Sequence, residues 1–343
     1  MDISLKFLTF AGMKLKVCHN MRILVLLSAV VMLLSACSND DTNTTTGSSE
    51  KQPEIRVDAD IWQMMDATRA AGATTYDIDV LHTKGFTCTV YEQNTTTMYE
   101  DEDNHKINGT AVNWNGSGWA FGDGNTHKWH PSDTPLDFFA YSPQTVPSYI
   151  TELTYAVNGT PAPAPYFTCT LPNTQTDLKE FVWALTPGQT KETNGRTGVM
   201  MTFRHPFARI RFRLANSIKG TVTSVTIKGA TGYPIKNIGT CTLSADGASL
   251  SWSDLNVTAD PADPVVGGAL DAYYIAIPQD FAAASNKHSV DVTVRWSQLS
   301  DVTKTYNATA SISQWQAGKS YTYRLTLDEY ALKVDVDKYT EQW

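Results

Sequence analysis

From Phe86 onward the chain alternates apolar and polar residues with period two, and that pattern leaves little room for anything but half-buried β-strands. The clearest stretch is Phe207 to Leu214, F-A-R-I-R-F-R-L, which turns Ile210, Phe212 and Leu214 to a core and Arg209, Arg211 and Arg213 to the opposite face. Such an arginine row is expected to be solvated or paired with nearby carboxylates rather than to bind an anion. The grammar recurs at Val290, Val292, Val294 and Trp296, at Tyr321, Tyr323, Leu325 and Leu327, and at Leu332, Val334 and Val336. Leu136 to Tyr141, L-D-F-F-A-Y, is denser and predicts a strand buried on both faces. Asn-Gly and Asp-Gly pairs separate the runs, at Asn108-Gly109, Asn115-Gly116, Asp123-Gly124, Asn158-Gly159 and Asp246-Gly247. No segment carries a sustained helical period, so the prediction is an all-β body of sandwiches.

At 42% hydrophobic residues, the chain of 343 can bury a sizeable core and suits two domains. Residues 186–197, T-P-G-Q-T-K-E-T-N-G-R-T, are polar and turn-rich, which predicts a boundary between a domain at 55–190 and another at 191–343. Ahead of them stands a different kind of segment. Arg22 precedes an apolar run from Ile23 to Leu34 that is short for a membrane span and ends in small residues, as a secretory signal does. Leu34-Ser35-Ala36-Cys37 has the form of a lipobox, so residues 1–36 are read as signal peptide, with translation starting at Met21 and Cys37 lipidated. Residues 37–54 then form a polar, flexible tether. Without residues 1–36 the chain holds 23 basic and 34 acidic residues, a net charge of −11, and shows no basic cluster of the kind that nucleic acid requires.

Chemistry-bearing patterns are sparse. His127 and His130 lie three apart with no further ligands beside them, and Glu100 to Asn104 lacks the glycine and closing glutamate of a calcium loop. There is no nucleophile elbow, phosphate loop or dinucleotide fingerprint, so no catalytic, cofactor-binding or metal-binding residue is assigned and no cofactor is expected. Cys88 and Cys169 sit inside alternating runs as small buried hydrophobes, and with Cys241 they give no disulfide framework. Trp114, Trp119 and Trp129 suit either a sugar-stacking face or a core. Asn-x-Ser/Thr triplets, among them those at Asn94, Asn108, Asn158, Asn256 and Asn307, are read as turn composition.

Taken in order, several segments match a known family. They are Ala67-Thr68-Arg69-Ala70; Trp129-His130-Pro131 with Leu136 to Pro143; Phe203-Arg204-His205-Pro206-Phe207-Ala208-Arg209-Ile210; Tyr274 to Gln279; and Trp315-Gln316-Ala317-Gly318-Lys319-Ser320-Tyr321. In this order the chain resembles the fimbrillins of Bacteroidetes, the type V pilins and their Mfa-like relatives. The resemblance implies two tandem transthyretin-like β-sandwich domains and a non-enzymatic role as a fimbrial subunit or an accessory or tip pilin. It implies export as a surface-exposed outer-membrane lipoprotein, with the lipid on Cys37 as anchor. An arginine-specific protease would then remove the N-terminal strand, and a strand from another subunit would fill the groove left behind. A host or bacterial surface receptor is a further partner that the resemblance suggests.

Carried onto this sequence, the cut falls at Arg69-Ala70, with Arg56 as the other candidate. The removable strand is Ile55, Val57, Ala59 and Ile61, which alternate on one side of Ile55 to Trp62. Leu332, Val334 and Val336 are either a donor strand or the last strand of the second sandwich. The alternative function, sharing lipobox, acidic tether and sandwiches, is a surface-anchored glycan-binding lipoprotein.

Overall fold

The computed structural model describes residues 52–61, 77–155, 165–172, 175, 178, 180–257, 266–283, 287–297 and 302–339. Cys37, Arg69 and Ala70, with the signal peptide and most of the tether, lie outside the described residues. The first half runs β1 (Val57–Ile61), α1 (Ile78–Lys84), β2 (Phe86–Glu92), β3 (Thr110–Trp114), β4 (Trp119–Phe121), β5 (Leu136–Ser142), β6 (Ile150–Thr154), β7 (Tyr166–Thr170) and β8 (Val182–Gln189). After α2 (Lys191–Asn194) come β9 (Val199–Phe203), β10 (Ala208–Leu214), β11 (Gly220–Lys228), β12 (Ile238–Leu243), β13 (Leu250–Asn256), β14 (Val266–Gly268) and β15 (Tyr273–Ala276). The chain closes with β16 (Gln279–Asp280), β17 (Ser289–Trp296), β18 (Val302–Thr309), β19 (Gln314–Trp315), β20 (Ser320–Leu327) and β21 (Leu332–Tyr339). The all-β class expected from the alternation is what forms.

β5 organises the first half. It is the fourth strand of the five-stranded sheet β4-β3-β2-β5-β8, and its neighbouring residues face two different cores. Phe138 turns to a core shared with β1 and β9, whereas Phe139 turns to one shared with the sheet β13-β12-β7-β6. The run buried on both faces was therefore legible in the sequence. Its one acid, Asp137, is fully buried, and accepts from Asn94 N (3.1 Å), Gly188 N (2.8 Å) and the Tyr155 hydroxyl (2.9 Å). A buried carboxylate needs such partners, and here they tie the turn at Asn94, the end of β6 at Tyr155 and the neighbouring strand β8 to one side chain. Burial, and then this carboxylate, push the Tyr155 hydroxyl well above the usual phenol range.

The second half packs the sheet β15-β10-β20-β21 on the sheet β14-β11-β17-β18, around Ile210, Phe212, Val225, Val292, Trp296 and Tyr323. The two halves of the sequence interleave. β12 and β13 extend the sheet begun by β6 and β7, with Cys241 opposite Phe167 and Gly239 opposite Cys169. The turn of that hairpin docks on β8. Gly247 has φ +68° and a Cβ there would lie 2.0 Å from the Leu185 carbonyl, so only glycine fits.

The motif Phe203-Arg204-His205-Pro206-Phe207 is the connector from β9 to β10, and the same hairpin braces it. Arg204 Nε donates to the Gly247 carbonyl at 2.7 Å and Trp252 Nε1 to the Pro206 carbonyl at 2.9 Å. His205 bonds Glu180, and Gln175 bonds both the N–H and the carbonyl of Ile275.

The arginine row departs in part from expectation. Arg211 and Arg213 share Asp271 at 3.0 and 3.2 Å, as a paired row should. Arg209 is only 4% exposed, its guanidinium 3.4 Å from the centre of the Tyr273 ring, because β15 lays an aromatic over it. Cys88, Cys169 and Cys241 are buried free thiols, and burial pushes the Cys169 thiol up to about 12.

In the C-terminal core Trp315 Nε1 donates to the Tyr323 hydroxyl (2.9 Å), which leaves that hydroxyl hydrogen for His288 Nε2 (2.7 Å). Burial lowers the His288 pKa from 6.5 to about 4. Above pH 6.5 the ring is neutral in folded and unfolded chains alike and adds no pH dependence. Between pH 6.5 and 4 only the unfolded chain takes up the proton, so stability falls, by roughly 3 kcal/mol across the window. Urea denaturation at pH 7 and pH 4.5 should show this loss, and His288→Gln should reduce the difference between the two midpoints.

Candidate functional site

The alternating segment Ile55 to Ile61 forms the expected strand. Ile55, Val57, Ala59 and Ile61 are 1, 6, 6 and 1% exposed and share one core with Leu81, Phe86, Trp129 and Phe203. Burying Ile55, Val57 and Ile61 contributes roughly 1.5–3 kcal/mol each before the cost of ordering the strand. Asp58 and Asp60 project outward and are exposed.

β1 pairs in parallel with β9, in the register Val57↔Val199 through Ile61↔Phe203. Val199 N donates to the Arg56 carbonyl at 2.8 Å. Gly198, at φ +86°, lets the chain pass close, since a Cβ on it would stand 3.2 Å from the Arg56 oxygen. β9 is held in turn on β8, where Trp183 and Arg204 exchange backbone bonds and Thr186 Oγ1 donates to the Met200 carbonyl. The other edge of β1 runs alongside β4 without a ladder. Its outward N–H groups at Ala59 and Ile61 are taken at 2.8 Å by the carboxylates of Asp58 and Asp60. Such local caps satisfy N–H groups that no ladder among the described residues takes up.

Upstream the segment changes partner and direction. Trp129 N donates to the Pro53 carbonyl at 3.0 Å and Ile55 N to the His127 carbonyl at 2.7 Å, with an antiparallel bridge between Glu54 and Lys128. Lys191 Nζ reaches Gln52 Oε1 at 3.3 Å. Residues 52–61 thus lie in a slot walled by 127–129, then by 199–203. Sequence reasoning located the strand but neither wall, because a parallel partner so distant in the chain leaves no local signal.

Lys128 also braces the loop beside this slot, with Nζ 2.6 Å from Asp103 and 3.1 Å from Glu102. Hydrogen bonding to the Lys128 amine holds the Asp103 carboxyl below its ordinary range, and the same contact raises the amine. Asp101, Asp103 and His105 each bring one ligand atom within 4.8 Å of the others. Asp101, however, accepts from the N–H groups of Asp103, His105 and Lys128, so these side chains build the loop. His127 is buried against Asp123 at 2.9 Å, while His130 is exposed and bonds Ser132. Trp129 lies in the core, Trp119 packs on Phe86, and Trp114 stacks on His82 at 4.0 Å.

At the other end of the chain β21 is an edge strand, antiparallel to β20. Val334 is buried, and Leu332 and Val336 are half-buried against the C-terminal core. The turn before β21 is anchored to β18, since Lys304 Nζ and the Tyr306 hydroxyl both donate to the Glu329 carbonyl.

The sequence model of the fimbrillin-like family matches residues 68–343, nearly the whole body described above. The chain belongs to the fimbrillin-like family. A fimbrial protein from Bacteroides vulgatus is similar in structure, with 17% identity and a TM-score of 0.49 over 85% of this chain and 99% of that one. The tip fimbrial protein Mfa3 from Porphyromonas gingivalis, with C-terminal truncation, gives 9% identity and a TM-score of 0.34 over 75% and 94% of the two chains. No curated protein matches the sequence.

Replacing Val57 with Asp sets a charge against this fimbrillin's slot without touching the C-terminal core. Amide exchange in Val199 to Phe203 should then accelerate by at least tenfold, with β20 unchanged, as read by hydrogen–deuterium exchange and mass spectrometry. Equal protection of β9 in both proteins would mean that β1 does not cover it.

Proposed function

We propose that this fimbrillin is a structural subunit or an accessory or tip subunit of a fimbrium, and not an enzyme. It is exported to the outer-membrane surface as a lipoprotein anchored through Cys37. An arginine-specific protease removes the segment up to Arg69, and a strand from another subunit then fills the slot. The observation that carries this reading is the way β1 is held. It fills an apolar trough with alternate side chains, ladders along one edge only among the described residues, and ends at Ile61, shortly before Arg69. A strand held like that can be exchanged for one of the same pattern. Arg56 suits the cut poorly, since its neighbours Ile55 and Val57 are buried and its carbonyl is bonded to β9, whereas a protease needs an extended, unpaired substrate.

A replacement strand exists in the same chain. Leu332-Lys333-Val334-Asp335-Val336-Asp337 repeats Ile55-Arg56-Val57-Asp58-Ala59-Asp60 position by position in character, with Val and both Asp identical. In that register Leu332, Val334 and Val336 fall where Ile55, Val57 and Ala59 now lie. This supports a donor-strand role for β21. The alternative, a glycan-binding surface lipoprotein, calls for an exposed aromatic platform, and Trp114, Trp119 and Trp129 are spent on packing.

The test is to treat lipid-free precursor with an arginine-specific protease, sequence the new N-terminus and run the product unboiled. Cleavage after Arg69 with SDS-resistant ladders is the expected result. A clean cut without ladders would assign a tip or accessory role, and resistance at Arg69 would overturn the processing step.

A further inference from the structure

The slot is longer than β1, and its first part carries the inference. Residues 52–54 are gripped before the parallel ladder begins. The Pro53 carbonyl takes the Trp129 N–H, and the Pro53 ring lies against the turn after α2, so close that a Cβ at Gly195 would stand 3.3 Å from Pro53 Cγ. Gln52 offers its oxygen to Lys191 Nζ. When Leu332 to Asp337 are set on Ile55 to Asp60, the preceding turn residues Glu329, Tyr330 and Ala331 fall on Gln52, Pro53 and Glu54.

Tyr330 is 88% exposed, far more than any other large hydrophobic side chain among the described residues. Its own fold makes no use of the ring. The turn is built by Asp328, whose Oδ1 accepts from Tyr330 N and Ala331 N at 2.7 Å each, and any residue supplies those N–H groups. An exposed tyrosine beside a strand of this kind has the character of an interface anchor, with large contact area, few rotatable bonds and a polar tip.

We infer that Tyr330 is an intersubunit anchor whose partner is a second copy of this chain: it takes the place of Pro53 and covers the Gly195 turn of the next copy. Glu329 falls beside Lys191 in that copy, so a carboxylate replaces the Gln52 amide opposite an ammonium. The inference rests on the strand-addition reading and adds to it the partner, the register and a contact outside the β1 ladder.

The probe is a fluorescent peptide of residues 328–339, present while the precursor is cut at Arg69, with incorporation read by anisotropy after gel filtration. The wild-type peptide should be retained, Tyr330→Ala should be retained at least tenfold less, and Tyr330→Phe should be retained like wild type. A Val334→Asp peptide reports on the slot itself and should not be retained. Equal retention of the wild-type and Tyr330→Ala peptides, with Val334→Asp lost, would overturn the anchor and leave strand addition standing. Retention of none of them would overturn strand addition and the anchor together. In the full chain Tyr330→Ala should fold with unchanged thermal stability and ladder more slowly; laddering at the wild-type rate would also overturn the anchor.

Discussion

β9 cannot be left bare, and much of the first half is arranged around that fact. The strand is central in sequence and lies over an apolar trough, yet among the described residues its only ladder is the parallel one with β1. An uncovered edge of this kind would expose both backbone donors and the side chains of a core. Residues 52–61 solve both problems at once, with alternate side chains for the trough and alternate peptide groups for the edge. The aspartates then deal with the edge that β1 itself would leave open. One short segment thus has to match the walls in pattern, direction and length, which explains why its composition is so regular.

The sequence revealed what local physics controls. The alternation at Ile55 to Ile61 and at Phe207 to Leu214, and the dense run of β5, each follow from which faces of a single strand are buried, and each formed a strand, with Arg209 the exception to the expected outward face. What stayed hidden depends on partners far away in the chain. Nothing near Val57 names Val199, and nothing near Cys241 names Phe167. Arg209 reads as an outward residue in its own strand and is covered only because β15 brings Tyr273 over it. Asp137 reads as an interruption in an apolar run and becomes a buried acceptor only when Asn94, Tyr155 and Gly188, each distant in the chain, converge on it.

The similarity of β1 and β21 is of a third kind. Neither segment is unusual alone, and each is a competent strand for its own place. Seen together they show two ends of a chain meeting the same requirement, an apolar stripe interrupted by aspartates at the same positions. The C-terminal sandwich holds its copy by an antiparallel ladder and by the anchored Glu329 carbonyl, whereas the N-terminal slot holds its copy by a parallel ladder on one side. The parallel arrangement gives the slightly weaker pairing per residue.

The braced connector has a mechanical consequence. The backbone passes from β9 to β10 through Arg204 to Phe207 alone, a link that would act as a swivel if nothing else touched it. The β12–β13 hairpin instead grips it at Arg204 and Pro206 while lying in the sheet of β6 and β7. A pull applied between the N-terminal slot and β21 therefore loads the β7–β12 ladder as well as the connector. Strands loaded along their length resist rupture collectively, so the connector is not free to swivel while that ladder holds.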